Sequence, residues 1–159
     1  MPAANPSTGP GARLHALGLE LPTVPKPLGN YVEVSQVGSL LFISGTLPVA
    51  NGKLSIIGRL GDNLSVEQGR EAARLAAMNA LAAVQEHVGD LNRVKKLVKL
   101  SICLATTAQF TDHAAVADGA SDLFAQLFGK ENGHARMVSG VISLPKGTPV
   151  VVETIFETE

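Results

Sequence analysis

The sequence predicts an α+β domain in which a mixed β-sheet carries two helices on one face. Three observations predict it: a long Ala-rich helical pattern, a second amphipathic helical pattern, and short apolar runs of strand character around them. The elements follow the order β-β-(β)-α-β-α-β-β, and two right-handed crossovers place both helices on the same side of the sheet. The other side stays uncovered, which predicts contact with a partner subunit.

The first segment of the chain is rich in Pro, Ala, Ser and Gly. We expect a disordered arm over residues 1–11 and a short helix over residues 12–19. Three prolines then impose an extended linker. The predicted organisation is a flexible arm over residues 1–27, comprising that helix and the Pro-rich linker, and a single domain over residues 28–159.

The domain opens with a predicted β-hairpin. Strands are expected at residues 31–37 and 40–44, joined by Gly38-Ser39, which is a two-residue hairpin signal. A short third strand is predicted at residues 53–57, after the turn residues Asn51-Gly52.

The clearest local pattern predicts a helix over residues 66–88. Ser65 and Gln68 form a capping box at its start, and Gly89 follows its end. The predicted buried stripe is Val66, Gly69, Ala73, Ala76, Ala80, Val84 and Val88. Because these side chains are small, the helix can lie close against a sheet.

A strand over residues 94–104 and a second helix, from residue 111 or 112 to Phe128, follow. The strand is expected to place Val98 on the same face as Leu100, and Gly129 is expected to end the helix.

The chain closes with two predicted strands, over residues 135–144 and 150–157. Residues 145–147, Pro-Lys-Gly, form a turn between them, which predicts a final β-hairpin.

The composition excludes several classes of protein. The 159 residues carry 13 Lys and Arg against 14 Asp and Glu, without the basic excess of a protein that binds nucleic acid or an anionic membrane. No apolar run approaches the ~20 residues of a membrane span. The single cysteine, Cys103, suits a small buried side chain in a reducing compartment. We therefore expect a cytoplasmic protein that binds neither nucleic acid nor a membrane.

Known cofactor motifs are absent from the sequence. It has neither the glycine patterns of nucleotide-binding folds nor the G-x-S-x-G of serine hydrolases. The four histidines lie far apart, with no Cys or carboxylate at ligand spacing: His15, His87, His113 and His134. These patterns give no support for a zinc site, a nucleotide cofactor or serine-hydrolase chemistry.

One charged residue is out of place in a predicted strand. Alternation puts Arg136 on the face of Val138 and Leu144, in an otherwise apolar row. A charge there must be paired or must hold an anion. One interpretation is an ion pair, with Glu153 as the candidate partner. The other is bidentate capture of a small carboxylate, which the planar guanidinium suits.

Other candidates are less distinctive. Tyr31, the only tyrosine, stands at the entry of the first strand, where a half-buried ring with its hydroxyl at the rim is the simplest expectation. Asp118 and Asp122 fit the solvated face of the second helix.

Several segments together, in this order, resemble a known family. They are Gly29-Asn30-Tyr31-Val32, Leu41-Phe42-Ile43-Ser44-Gly45, Leu47-Pro48, Val98-Lys99-Leu100, Ala135-Arg136, Leu144-Pro145 and Val152-Glu153, with the Ala-rich helix between the third and fourth. Over residues 20–159 the chain resembles the Rid family of reactive intermediate deaminases. These proteins are also called YjgF-like and, in older usage, L-PSP endoribonucleases.

The resemblance implies a chorismate-mutase-like fold assembled as a homotrimer, with sites in clefts between subunits. It implies hydrolysis of reactive enamines and imines, such as 2-aminoacrylate or 2-iminopropionate, to a 2-keto acid and ammonia, without a cofactor. By position, Arg136 would bind the substrate carboxylate, Tyr31 would line the cleft, and Ser44-Gly45 would border it.

Three positions depart from the family pattern. Val151 replaces a Glu that positions the hydrolytic water, Asp118 replaces an Asn, and Val138 replaces a Cys. Asp118 would oppose an anionic ligand, and Glu153 is a candidate substitute for the missing water partner. Two functions therefore stay open: slow hydrolysis of a small imino acid, and binding of small carboxylates without catalysis. Neither the near-zero net charge nor the placement of the histidines supports RNA cleavage, the older activity attributed to this family.

Overall fold

The computed structural model describes residues 8–159, and a mixed sheet with helices on one face dominates it. Its elements are α1 (Pro10–Ala16), β1 (Val34–Val37), β2 (Leu40–Thr46), β3 (Val49–Ala50), β4 (Lys53–Leu54), α2 (Val66–Val88), β5 (Val94–Ala105), α3 (His113–Phe128), β6 (Ala135–Val141) and β7 (Val150–Thr158).

The main sheet has five strands in the order β1-β2-β7-β5-β6, and β3 pairs with β4 in a separate hairpin. Only β5 and β6 pair in parallel in the main sheet of the described chain; the other neighbours are antiparallel. Because β2 and β5 both run antiparallel to β7, α2 and α3 each connect parallel strands. The two helices pack together on one face, which confirms the predicted α+β architecture.

The predicted final hairpin is wrong. The strand β7 does not pair with β6; it lies between β2 and β5 and bonds to both. A central position gives β7 two hydrogen-bonded ladders and fully buries Val150, Val152 and Phe156 against the helices. The turn at residues 145–147 therefore carries the chain past β5 rather than back along β6.

Helix α2 has the predicted bounds and both bonds of the predicted capping box. It buries more than the predicted stripe, including Ala72 and Leu81, because one side contacts the sheet and another contacts α3. The contact with α3 is close: a Cβ on Gly119 would collide with the backbone of Arg70. Small residues at this crossing bring the two helices together.

Strand β5 differs from its predicted alternation. Leu97 is buried and Val98 is only partly buried, the reverse of the expected arrangement. The pairing with β7 shifts register between Val94 and Lys96 and again between Leu97 and Lys99. Each irregularity interrupts the two-residue period that the prediction assumed.

The first hairpin turns at the predicted residues, with Val37 opposite Leu40 and Gly38 at φ 58°. Its first strand begins at Val34 rather than at residue 31. The predicted third strand is shorter, Lys53–Leu54, and pairs with β3 across Asn51-Gly52.

The helix near the start of the chain, α1, begins at Pro10 and ends at Ala16, so the predicted range of 12–19 is displaced. It packs on α3: Leu14 is buried, and Arg13 Nη1 donates to the Leu127 carbonyl at 3.1 Å. Residues 1–7 of the predicted disordered arm lie outside the described residues, and its last two residues, Pro10 and Gly11, are helical rather than disordered. The division of the chain at residue 28 stays a prediction.

Within residues 8–159, none of the helices has both the length and the apolar character that crossing a bilayer requires.

Candidate functional site

Arg136 lies on the helix side of the edge strand β6, in line with Val138, which packs on the core. Its Nη1 donates to Asp118 Oδ1 at 2.6 Å and to Ser121 Oγ at 3.2 Å, both on α3. About a quarter of its side chain is exposed (25%), against 47% for Asp118. The predicted ion-pair partner, Glu153, is wrong, because Glu153 faces the opposite side of the sheet, between the buried Val152 and Thr154.

A histidine completes this group, which we call the Arg136 cluster: Arg136, Asp118, Ser121 and His134. His134 Nε2 lies 3.0 Å from Ser121 Oγ. Burial and then the nearby Arg136 charge lower the pKa of His134. Because Ser121 Oγ accepts from Arg136, its own proton can be donated to a neutral His134 ring.

The cluster holds the guanidinium by one nitrogen. Within residues 8–159, neither Nη2 nor Nε of Arg136 has a hydrogen-bond partner. These two donors can form the planar pair of bonds that a carboxylate accepts. Asp118 already neutralises part of the charge, so a bound anion competes with it.

Tyr31 lies in the loop before β1, with 45% of its surface exposed. Its hydroxyl accepts a hydrogen bond from the Leu28 backbone N–H at 3.0 Å. The loop therefore folds back over its own ring.

Ser44 and Gly45 form an irregularity in β2, where the pairing with β7 shifts register between Ile43 and Thr46. Ser44 Oγ donates to the Val32 carbonyl at 2.6 Å, and Ser44 N donates to the Glu33 carbonyl at 2.9 Å. A Cβ on Gly45 would lie 2.9 Å from Val151 Cγ1, so a larger residue here would require the Val151 side chain to shift. The described bonds of Ser44 thus anchor the Tyr31 segment to the sheet.

Two adjoining cavities flank Tyr31. The first, which we call the Val151 cavity, has about 410 Å³. It is lined by Leu28, Gly29, Tyr31, Gly45, Leu47, Cys103, Leu144, Pro145 and Val151. Cys103 is therefore not the fully buried side chain that its apolar neighbours predicted; it faces the uncovered side, with Sγ 3.8 Å from Ser139 Oγ.

The second, which we call the Glu33 cavity, has about 340 Å³ and shares Leu28, Tyr31, Gly45 and Leu47 with the first. Glu33 is its carboxylate, and burial raises the pKa of that carboxyl. Three lysines also border it: Lys26, Lys53 and Lys146.

The structure thus assembles the predicted site residues in two groups. Tyr31 and Gly45 line the cavities, with Ser44 beside them, whereas Arg136 and Asp118 form the cluster on β6 and α3. The Val151 cavity is not lined by Arg136. Glu153 lies exposed on the uncovered face, opposite Ser101. In residues 8–159, no three His, Cys, Asp or Glu side chains gather in a way that could hold a metal ion.

Sequence reasoning missed Glu33, Ser121 and His134. Glu33 could have been found, because it follows Tyr31 by two residues and strand alternation places both on one face. Ser121 lies three residues after Asp118, on the same side of α3. His134 gave no signal, since its contact with Ser121 forms only when β6 packs beside α3.

The chain is therefore an α+β protein with a guanidinium at the edge of its mixed sheet and an apolar cleft beside a tyrosine. A family model described as "YjgF/chorismate_mutase-like, putative endoribonuclease" matches residues 11–157. The chain belongs to this YjgF/chorismate-mutase-like family, as its resemblance to Rid proteins predicted.

Individual relatives agree with this assignment. The chain is 41% identical over 147 residues to "Protein TCP17" of Trypanosoma cruzi, covering 92% of both chains. It is 27% identical to a "2-iminobutanoate/2-iminopropanoate deaminase" of Dermatophagoides farinae, covering 89% of this chain and 95% of the relative. A crystal structure of a "putative endoribonuclease" from Shewanella oneidensis superimposes with a TM-score of 0.90 at 39% identity, covering 94% of this chain and 99% of that one.

Proposed function

We propose that this protein hydrolyses small imino acids to 2-keto acids and ammonia. The observation that carries the proposal is the guanidinium of Arg136, which Asp118 and Ser121 hold by one nitrogen while Nη2 and Nε keep their donors for a carboxylate. The deaminase name of the mite relative supports the choice of reaction.

We propose that a second copy of the chain completes the site. Arg136 and the cavities beside Tyr31 form separate groups, and no helix within residues 8–159 covers the sheet face that holds Ser44 and Val151. That face exposes large apolar side chains, among them Phe42 (41%) and Met137 (62%). We propose a homotrimer in which Arg136 of one subunit and the Val151 cavity of its neighbour border one cleft.

In that cleft the chain would bind and orient an imino acid. Arg136 holds the carboxylate through two hydrogen bonds, and the Tyr31 ring and the apolar wall at Val151 bound the carbon skeleton. Water then adds to the electrophilic carbon of the C=N bond, and the carbinolamine loses ammonia. The proposed reaction needs no metal or organic cofactor.

A second candidate function is binding of small carboxylates without catalysis. Two observations favour it: Val151 can neither orient a water nor take its proton, and Asp118 occupies one donor nitrogen of Arg136. In this case the protein would bind pyruvate and related acids but leave imines to hydrolyse at their solution rate.

The test is a coupled assay in which a dehydratase forms 2-aminoacrylate from serine, and pyruvate release is followed with and without the protein. Acceleration above the spontaneous rate supports the enzyme. Calorimetry with pyruvate then compares wild type with Arg136→Ala, which should bind roughly 10- to 100-fold more weakly because a charge-assisted pair is worth about 1.5–3 kcal/mol.

Arg70→Ala is the matched control, because Arg70 also pairs with an aspartate of α3, Asp122, at 3.1 Å. This control should lower the melting temperature and keep pyruvate affinity. If Arg136→Ala behaves in the same way, Arg136 is a structural ion-pair residue. If wild type neither binds pyruvate nor accelerates its release, both candidate functions are wrong.

A further inference from the structure

Glu33 occupies a defined position beside Tyr31. Its carbonyl accepts a hydrogen bond from Ser44 N at 2.9 Å. The next residue, Val34, pairs with Ile43 between β1 and β2. Val34 packs on the core, so alternation turns Glu33 to the opposite side of the sheet, where Ser44 also lies. Tyr31, two residues earlier, lines the same cavity.

The surroundings of Glu33 leave its carboxylate without a counterion. Apolar side chains form much of its cavity, including Leu28, Leu47 and Leu54. Three lysines border the same cavity, yet within the described residues none forms an ion pair with Glu33 within 4.0 Å. Burial raises the pKa of the Glu33 carboxyl, so this group binds a proton more readily than an exposed carboxyl does.

The other carboxylate considered for this role is less well placed. Glu153 is exposed on β7 and lines neither cavity beside Tyr31, whereas Glu33 lies in one that adjoins the Val151 cavity. Only four residues are shared by the two cavities, and Tyr31 and Gly45 are among them. Glu33 therefore borders a cavity that meets the Val151 cavity at Tyr31 and Gly45.

We infer that Glu33 is the general base of the proposed hydrolysis and supplies the carboxylate that Val151 lacks. This inference rests on the proposed function. Glu33 accepts a proton from water as the water oxygen bonds to the carbon of a protonated imine, and the C=N π pair moves to nitrogen, giving a carbinolamine.

Protonated Glu33 then donates its proton to the amino group. The C–N bond breaks with its electron pair leaving on ammonia, and the hydroxyl proton returns to the Glu33 carboxylate as the C=O bond forms. Release of that proton to solvent restores the base. The sum is protonated imine plus water giving keto acid, ammonia and one proton.

The experiment compares Glu33→Gln with Glu33→Asp in the full-length protein, using 2-aminoacrylate formed by the dehydratase. Glu33→Gln should lower kcat/KM by ~10²–10⁴-fold. It should also remove the acidic limb of the pH profile and leave the Kd for pyruvate within about twofold of wild type. Glu33→Asp keeps a carboxylate and should recover part of the rate. The other ionisable side chains facing this cavity are Lys26, Tyr31, Lys53 and Lys146, and each stays unchanged in both variants.

Glu153→Gln is the matched control and should keep the wild-type rate. The inference is overturned if Glu33→Gln retains more than about a third of the rate or keeps the acidic limb. It is also overturned if Glu153→Gln loses as much activity, or if Glu33→Gln acts only by lowering the melting temperature. If the wild type hydrolyses imines and Glu33→Gln does so equally well, only the role of Glu33 is wrong. A wild type without hydrolytic activity removes the proposed enzyme as well.

Discussion

The ion pair between Arg136 and Asp118 is suited to ligand exchange more than to holding the fold together. Both side chains keep solvent contact, with 25% and 47% of their surfaces exposed, and such pairs contribute about 0–1 kcal/mol to stability. An anion that binds Nη2 and Nε can therefore weaken the contact between Arg136 and Asp118 at little cost.

Asp118→Asn should raise the affinity for pyruvate by about fivefold, because the amide no longer competes for the guanidinium, and fivefold corresponds to the ~1 kcal/mol upper range for such a pair. Calorimetry measures the change. Asp122→Asn is the control: Asp122 lies on α3 with Asp118 but pairs with Arg70 of α2, so this change should leave pyruvate affinity unchanged. A weaker affinity in Asp118→Asn would show that Asp118 positions Arg136 for binding.

At the scale of elements, the crossing of α2 and α3 depends on the missing side chain of Gly119. Gly119→Ala should lower the free energy of unfolding by about 1–3 kcal/mol, because its Cβ meets the Arg70 backbone, which cannot rotate away. Denaturant unfolding measures the difference. At Gly133 the nearest atom to a new Cβ is 3.8 Å away, so Gly133→Ala should be close to neutral. Equal stability of the two variants would mean that α3 shifts freely over α2.

The contact between α3 and β6 gives stability a pH dependence. Folding lowers the pKa of His134, chiefly through burial and then through the Arg136 charge, so the folded state favours the neutral ring. The resulting stabilisation is present above the unfolded pKa of ~6.5 and is lost as the pH falls through the lower folded pKa.

His134→Gln should remove this part of the pH dependence, which denaturant unfolding between about pH 4 and 8 would measure. His15→Gln, a change at an exposed ring on α1, is the control. If His134→Gln keeps the wild-type slope over this range, another group causes the acid sensitivity.

For the whole molecule, the uncovered sheet face predicts self-association, and the proposed homotrimer predicts three chains in solution. Light scattering after size exclusion should give about three times 16.5 kDa. Phe42→Asp should shift the protein towards monomer, because it places a charge on the apolar face where Phe42 is 41% exposed. Leu17→Asp, at a similarly exposed residue (45%) after α1, should leave the mass unchanged. A monomeric wild type at micromolar concentration would contradict both the trimer and the shared cleft.

Elements set by contacts between near neighbours in the chain could be predicted from the sequence. The capping box at Ser65 and Gln68, the turn at Gly38 and the end of α3 at Gly129 all appear where they were expected. Each depends on hydrogen bonds or backbone angles within a few residues, so local sequence determines it. Strand alternation also placed Arg136 on the face of Val138, where the structure has it.

Only the tertiary structure decided which distant segments meet. It placed β7 between β2 and β5, gave Arg136 the partner Asp118 instead of Glu153, and brought Glu33 to a cavity beside Tyr31. In each case several arrangements fit the local sequence equally well. Strand alternation specifies which face of the sheet a side chain lies on, but it does not specify which segment lies beside it. The choice follows from burying Val150, Val152 and Phe156 under the helices, a gain that exists only when the whole sheet is assembled.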